Sequence, residues 1–456
     1  MDLTIYWNIK KHIFLISFCI LSLHYFSQNN TFSGYSRYGI GDIQEKSLPF
    51  QKGMNSAGIS FPVDTTAPAF LNLQNPATLS YLRLSTIEAG GFYYQTQIIN
   101  KNNYKVQQSS TNFNALVIGF PIKKHSGFCF GLLPYSFVGY QINQNEYISN
   151  IGNVNYVFEG SGGLNNAFAS YGFSIKKYFK KQDTIYKPLK EFVKNFSFGL
   201  SAQYLFGELA NTATVNYPSN STYYNFVNDQ RYRINGITAD FGIHSYIILN
   251  HSKNSYLNFG LTYSIPSSLL KISQDYIAYN FSYTFFGEKF IVDTLRYAEN
   301  EIGNMQLPSS TGLGISYIIA NKFGIGADLK YTNWNNYHLA NTTTNVKNNF
   351  EINIGGYYQP DRFATSKSQY FNKVIYRWGA GYNSGYQVFQ NKSIPLYSIS
   401  AGVSLPMGLY RSFSALHLSF QYQMKGQKDF ILRENIFKIH IGITLNDRWF
   451  IKYKYD

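Results

Sequence analysis

His417 and Ser419 stand two residues apart in Ala415–Gln423, a segment that alternates apolar and polar side chains. On a strand such positions share a face, so a base lies beside a hydroxyl, as in the nucleophile and base of a membrane phospholipase. The chemistry stops there. No Asn or Asp follows closely to orient the imidazole, and Leu416, Leu418, Phe420 and Tyr422 form an apolar face that turns His417 and Ser419 away from lipid. Gly312-Leu-Gly314 and Gly324-Ile-Gly326 lack the following helix that a dinucleotide site requires. The eight His and two Cys show no metal-ligand spacing. The residues argue against an enzyme and imply no cofactor, which leaves the alternation itself as the informative pattern.

That alternation recurs. Phe196, Phe198, Leu200, Ala202, Tyr204 and Phe206 share one face against Ser197, Gly199, Ser201 and Gln203, and Phe437, Ile439, Ile441, Ile443 and Leu445 oppose Lys438, His440, Gly442 and Thr444. Strand-like segments start near 85, 110, 126, 164, 195, 231, 255, 310, 322, 348, 373, 396, 413, 433 and 448. They run to roughly ten residues, against about five or six for soluble strands and about nine to eleven for strands that cross a bilayer. Aromatics make up 18% of the chain, with 41 Tyr and 38 Phe, while charged residues are only 14%. Mean hydropathy is −0.22, and past the first thirty residues no apolar run approaches the ~18 residues of a spanning helix. The expectation is an all-β fold, a transmembrane antiparallel β-barrel of about 14 strands over residues 83–456, with no open edge and an even strand count between fourteen and sixteen. The final segment, Arg448 to Tyr455, reads as the closing strand.

With the apolar faces toward lipid, the polar faces line a partly wet lumen. They carry Asp328, Lys330, Arg377, His417, Lys438, His440, Lys452 and Lys454. Residues 144–162, 217–229, 266–308 and 359–372 read as loops on one rim, and Lys176–Lys194 as a solvated basic turn.

Lys10-Lys11, the apolar run Ile13 to Leu23 and the polar exit at Gln28 have the form of a secretory signal, with cleavage near Ser27. Loss of residues 1–27 removes Cys19 and leaves Cys129 without a disulfide partner. It also leaves 37 basic and 23 acidic residues, a net charge of +14. Such a surface favours anionic lipid headgroups, whereas nucleic acid is disfavoured because the basic residues are scattered and the chain is exported.

Residues 28–82 are rich in Gly, Ser, Asn and Pro and lack strand periodicity, yet they contain Phe50, Met54, Ile59, Phe61, Phe70, Leu71 and Leu73. A segment of this length with so many apolar residues is expected to pack inside something. Leu71–Ser80 (LNLQNPATLS) is its most ordered part, a turn fixed by Asn75-Pro76. An ordinary surface turn is the plain reading; beside a barrel, a plug element is the other.

Four stretches carry a resemblance: Pro121–Gly131 (PIKKHSGFCFG), Leu307–Gly314 (LPSSTGLG), Gly326–Trp334 (GADLKYTNW) and Tyr376–Tyr382 (YRWGAGY). Their order and spacing resemble the FadL family of outer-membrane transporters of long-chain fatty acids and other hydrophobic molecules. The resemblance implies a fourteen-stranded barrel with an N-terminal hatch, and Asn75, Pro76 and Ala77 match its plug motif. It also implies a side opening at Pro134 and Tyr135, in a kinked third strand. On physical grounds alone, Pro134 removes a ladder hydrogen bond and fits a simple bulge as well. The expected function is an outer-membrane channel for diffusion of hydrophobic small molecules. The expected partners are membrane lipid and such a ligand. The alternative is a plugged barrel acting with other outer-membrane proteins in secretion or assembly. An apolar pocket above the hatch would favour transport; an apolar rim patch over a sealed lumen would favour the partner role.

Overall fold

The computed structural model describes residues 31–62, 70–178, 192–219, 221–267, 270–340, 346–364, 369–407, 414–427, 430 and 432–447. The expected signal segment and the strand Arg448–Tyr455 lie outside them, as does most of Lys176–Lys194. Period-2 patterning produces sixteen long strands: β1 (Ser85–Asn100), β2 (Lys105–Lys123), β3 (Ser126–Ile148), β4 (Gly152–Ser174), β5 (Ser197–Asn216), β6 (Asn225–Asn250), β7 (Ser255–Ser264), β8 (Leu270–Tyr283), β9 (Lys289–Gln306), β10 (Ser309–Ile319), β11 (Phe323–Asn333), β12 (Asn349–Tyr358), β13 (Ile375–Asn383), β14 (Leu396–Met407), β15 (Ser414–Lys425) and β16 (Leu432–Asp447). Fourteen of them, all except β8 and β9, pair antiparallel in sequence order around a closed ring. The ring closes where β16 pairs with β1 from Leu432↔Asn100 to Asp447↔Ser85. Among the described residues the ring is closed by Leu432–Asp447, whose alternation runs without interruption to Asp447 and matches β1 residue for residue.

The two faces separate as alternation requires. Ile399, Ile441, Leu313 and Leu200 are among the exposed apolar side chains of the outer wall. Exposed aromatics mark both ends of this belt, with Phe173, Tyr358 and Tyr376 at the lower strand ends and Tyr331, Phe350 and Tyr397 at the upper ends, as two bilayer interfaces demand. None of the described helices is long and apolar enough to cross a membrane.

The rim expectations need correction. Residues 144–162 are mostly strand, because β3 and β4, each 23 residues, run well past the bilayer, as does the 26-residue β6. The stretch 266–308 holds the hairpin β8–β9, whose first strand pairs with the upper half of β6 (Asn225–Asn235) while β7 pairs with its lower half. The stretch 359–372 links the lower ends of β12 and β13 and so belongs to the opposite rim. Longer strands and loops identify the upper rim as the extracellular one.

The expectation of a wall without edges also fails at one place. The β2–β3 ladder runs only from Lys123↔Ser126 to Leu116↔Leu132; above it, Lys105–Ala115 of β2 pairs with β1 alone.

Candidate functional site: the N-terminal segment and the wall around it

Residues 31–62 and 70–84 lie inside the barrel and bond to strands around it. Near the mouth, Ser33 Oγ donates to Glu434 Oε2 at 2.8 Å, and Lys425 Nζ pairs with Asp42. Midway, Pro49 carbonyl accepts from Ser419 Oγ at 2.8 Å and Asn55 Nδ2 donates to Asn353 Oδ1 at 2.7 Å. Lower down, Leu71 N donates to Glu88 Oε1 at 2.6 Å.

Asn75, Pro76 and Ala77 open a short 3-10 helix, Pro76–Tyr81. Asn75 caps it: its Oδ1 accepts from Ala77 N at 3.1 Å, and its Nδ2 donates to the carbonyls of Ile59 (2.9 Å) and Ile243 (3.0 Å). Pro at the first helical position gives up no bond there. Tyr81 hydroxyl lies 2.9 Å from His244 Nδ1, whose Nε2 lies 3.0 Å from Ser60 carbonyl; since a carbonyl only accepts, Nε2 carries the proton and Nδ1 receives the phenol's. Burial pushes the Tyr81 hydroxyl well above its ordinary range.

The seat for this turn is made of glycine, which the reading of motifs overlooked. Gly127, Gly172, Gly199 and Gly242 are direct cross-strand partners in a row over β3 to β6. A Cβ on Gly199 would stand 2.2 Å from Ala77 N, one on Gly172 2.4 Å from Pro76 O, and one on Gly127 2.4 Å from Leu79 O. In a second row, Gly355 and Gly379 receive Met54, with Cβ distances of 2.3 and 2.4 Å, and Gly326 receives the Phe61 ring at 2.7 Å. The signal was available: small residues on the inward parity of neighbouring strands, where a filled lumen leaves no room for side chains.

Of the inward residues named from sequence, Lys452 and Lys454 lie outside the described residues; the others point into the barrel but are not equivalent. Asp328 is buried, and its Oδ2 accepts from Gly58 N (2.6 Å) and Ile59 N (2.9 Å). Arg377 is buried over the rings of Phe50 and Phe70, 5.2 and 5.3 Å from their centroids, with Nη1 on Ser404 Oγ. His417 lies between Ser404 Oγ (2.6 Å) and Thr444 Oγ1 (2.7 Å), and Ser419 is spent on Pro49, so the two share no hydrolytic geometry. His440 packs against Phe92 at 5.1 Å. Only Lys330 is exposed to open space. The partly wet lumen thus reduces to a cavity of about 300 Å³ whose lining includes Asp42, Glu45, Lys52, Lys330, Glu351 and Lys438. Burial alone would push the Glu45 carboxyl up; the Lys52 ammonium 3.5 Å away, with hydrogen bonds to Glu351 and Ser56, overcomes it and holds the group below its usual range.

Apolar clusters pack above and below the cavity. Over it, Val138, Leu205, Tyr232, Ile272, Met305 and Trp334 form one cluster with Ile40 and Tyr386, and Trp334 stacks on Tyr386 with centroids 4.1 Å apart. Under it, Leu48, Leu71, Leu79 and Leu82 pack with Val117, Cys129 and Ala415. An apolar hollow of about 560 Å³ does exist, lined by Phe192, Phe259, Leu261, Leu313 and Ile315, on the lipid-facing wall.

Pro134 and Tyr135 lie just above the end of the β2–β3 ladder, and the β3–β4 register shifts between Pro134 and Ser136. The edge that β3 loses to β2 is taken over by the N-terminal segment. Asp42 and Ile43 pair antiparallel with Phe137 and Ser136, Gln44 N donates to Tyr135 O at 2.9 Å, and Ser33 N donates to Gly139 O at 2.9 Å.

Solved structures share this architecture. The toluene transporter TodX of P. putida superposes with a TM-score of 0.56 at 13% identity, over 89% of this chain and 99% of that one. The toluene transporter TbuX of Ralstonia pickettii gives 0.54 at 12%, over 88% and 98%. A FadL homologue of Pseudomonas aeruginosa gives 0.51 at 12%, over 89% and 99%. These likenesses bear out the FadL-type fold, and a closed barrel with such a lipid belt is an outer-membrane protein. No curated protein matches the chain. A family model described as BamG matches residues 9–182 and 189–456, and the chain belongs to that family.

Proposed function

We propose that this barrel is an outer-membrane channel for diffusion of hydrophobic small molecules, held closed by residues 31–82 and opened sideways between β2 and β3. The observation that carries the reading is the early end of their ladder, with Asp42–Ile43 standing in for the missing strand. Opening a complete wall breaks a long row of hydrogen bonds. Here it takes the release of one two-residue pairing and a few single bonds, with Pro134 and Tyr135 at the hinge and Asn75, Pro76 and Ala77 as the fixed foot of the plug. The hydrophobic cargo of the two toluene transporters supports the substrate class, and long-chain fatty acids are the finer proposal. The charged cavity favours a sideways exit over passage down the lumen, since apolar cargo gains nothing among buried charges. The test is uptake of labelled toluene and oleate by cells with and without the chain. Deletion of Gln74–Thr78 should leave the wall foldable and change the rate; no dependence on the chain in either form would reject the channel.

A second reading, a plugged barrel serving as partner in a secretion or outer-membrane assembly complex, is favoured by the packed mouth above the cavity. It expects loss of the chain to disturb surface-protein export while hydrophobic uptake stays unchanged.

A further inference from the structure

Three strands of the extracellular sheet, β2, β3 and β9, have an edge without a full ladder neighbour among the described residues, and the edges of β3 and β9 are built differently. β9 pairs with β8 on one side; on the other, among the described residues, only Met305 and Gln306 find strand partners. Its register breaks three times, between Ile291 and Asp293, Thr294 and Arg296, and Ala298 and Glu301. It also carries Lys289, Arg296 and Glu299. Bulges and charges are the devices by which free edges resist unwanted pairing. β3 above Ser136 has no register break and a single charge. From Ser136 to Ile148 it pairs with β4 without a shift, with Glu146 as its one charged residue and no Pro. The first positions of its other edge already accept an added strand, the plug's Asp42–Ile43. From Gln141 to Tyr147 the same edge continues with no ladder partner among the described residues, and its side chains are nearly all exposed.

We propose that the upper edge of β3, Gln141–Tyr147, is a strand-addition site for an extended segment of a partner polypeptide, laid antiparallel to β3 as Asp42–Ile43 is. What the edge offers is a row of alternating N–H and C=O groups at strand spacing, which a polypeptide backbone matches and a lipid or sugar does not. The side chains of this stretch are mainly amides, Gln141, Asn143, Gln144 and Asn145, with Ile142 its one aliphatic residue and Glu146 its one charge, so recognition runs through backbone and tolerates sequence. The incoming strand extends a ladder that the plug has begun. A second copy in the same bilayer presents its own β3 running the same way up, so the two β3 edges cannot pair antiparallel. The inference stands apart from the proposed hydrophobic passage, which uses the gap just above the end of the β2–β3 ladder, at Ser136–Phe137.

Hydrogen exchange of the full chain tests it, compared between isolated native outer membranes and purified barrel in vesicles of outer-membrane lipid alone. The amides of 141–147 should exchange about tenfold or more slowly in native membranes, while those of 289–304 exchange fast in both. The double variant Gln141→Lys, Gln144→Lys, checked for heat-modifiable migration, should lose the protection. Equal exchange in both preparations overturns the proposal. So does protection that returns with lipid alone, that rises with the concentration of this chain, or that survives in the folded double variant.

Discussion

Asp328 on β11 accepts the backbone N–H of Gly58 at 2.6 Å, so one wall carboxylate holds a turn of the N-terminal segment. The same oxygen takes Ile59 N. Asp328→Ala strands two buried donors, at about 1–3 kcal/mol each, whereas Asp328→Asn keeps an acceptor and loses less. Limited proteolysis of the folded protein within residues 53–60 should rise strongly for the alanine variant and little for the asparagine. Equal protection in all three would mean that this contact does not hold the plug.

The glycine row gives a steric prediction. Gly199→Val drives a side chain into the backbone of Pro76 and Ala77, and overpacking of this kind costs about 1–3 kcal/mol. Leu200→Val, one residue along on the lipid face, should be nearly silent. The readout is the denaturant midpoint with plug accessibility; comparable effects at both positions would contradict the seat.

Much of this was legible beforehand because alternation reports facing directly. Phe196–Phe206 and Phe437–Leu445 have the predicted faces, and Asp328, Arg377, His417 and His440 have the predicted direction. What alternation cannot report is what lies opposite an inward residue. His417 looked like a wet lumen residue, yet it is clamped by Ser404 and Thr444 under Phe70. The extensions of β3, β4 and β6 beyond the bilayer were hidden in Gly- and Asn-rich stretches that read as loops. The break between β2 and β3 depends on pairing, which no single strand's sequence carries.

The facing assignment predicts unequal responses to charge. Ile441→Arg places a guanidinium on the lipid face and should destabilise folding into liposomes by about 2–4 kcal/mol near the midplane. Lys330→Arg, on the cavity, keeps charge and direction and should be close to neutral. Equal sensitivity would contradict the register of β16 or β11.

The Glu45–Lys52 pair sets an acid limit. The Glu45 carboxyl is held below the ordinary glutamate value of about 4.3, so its contribution is fully present above that value and is lost as pH falls through the lower folded value. A spin label at Gln44→Cys should report an unchanged plug between about pH 7 and 5 and growing mobility below about 4.5. Glu45→Gln should flatten the profile; an unchanged acid transition in that variant assigns it to another group.

The central claim is that the plug must leave β3 for hydrophobic molecules to pass, and a disulfide tests it most directly. Ile43 and Ser136 are cross-strand partners, so Ile43→Cys, Ser136→Cys suits a bridge, and Cys129 is buried and out of the way. Labelled toluene uptake by cells carrying the oxidised double variant should fall to the level of cells lacking the chain, and reductant should restore it. Undiminished uptake through the locked barrel would contradict the account.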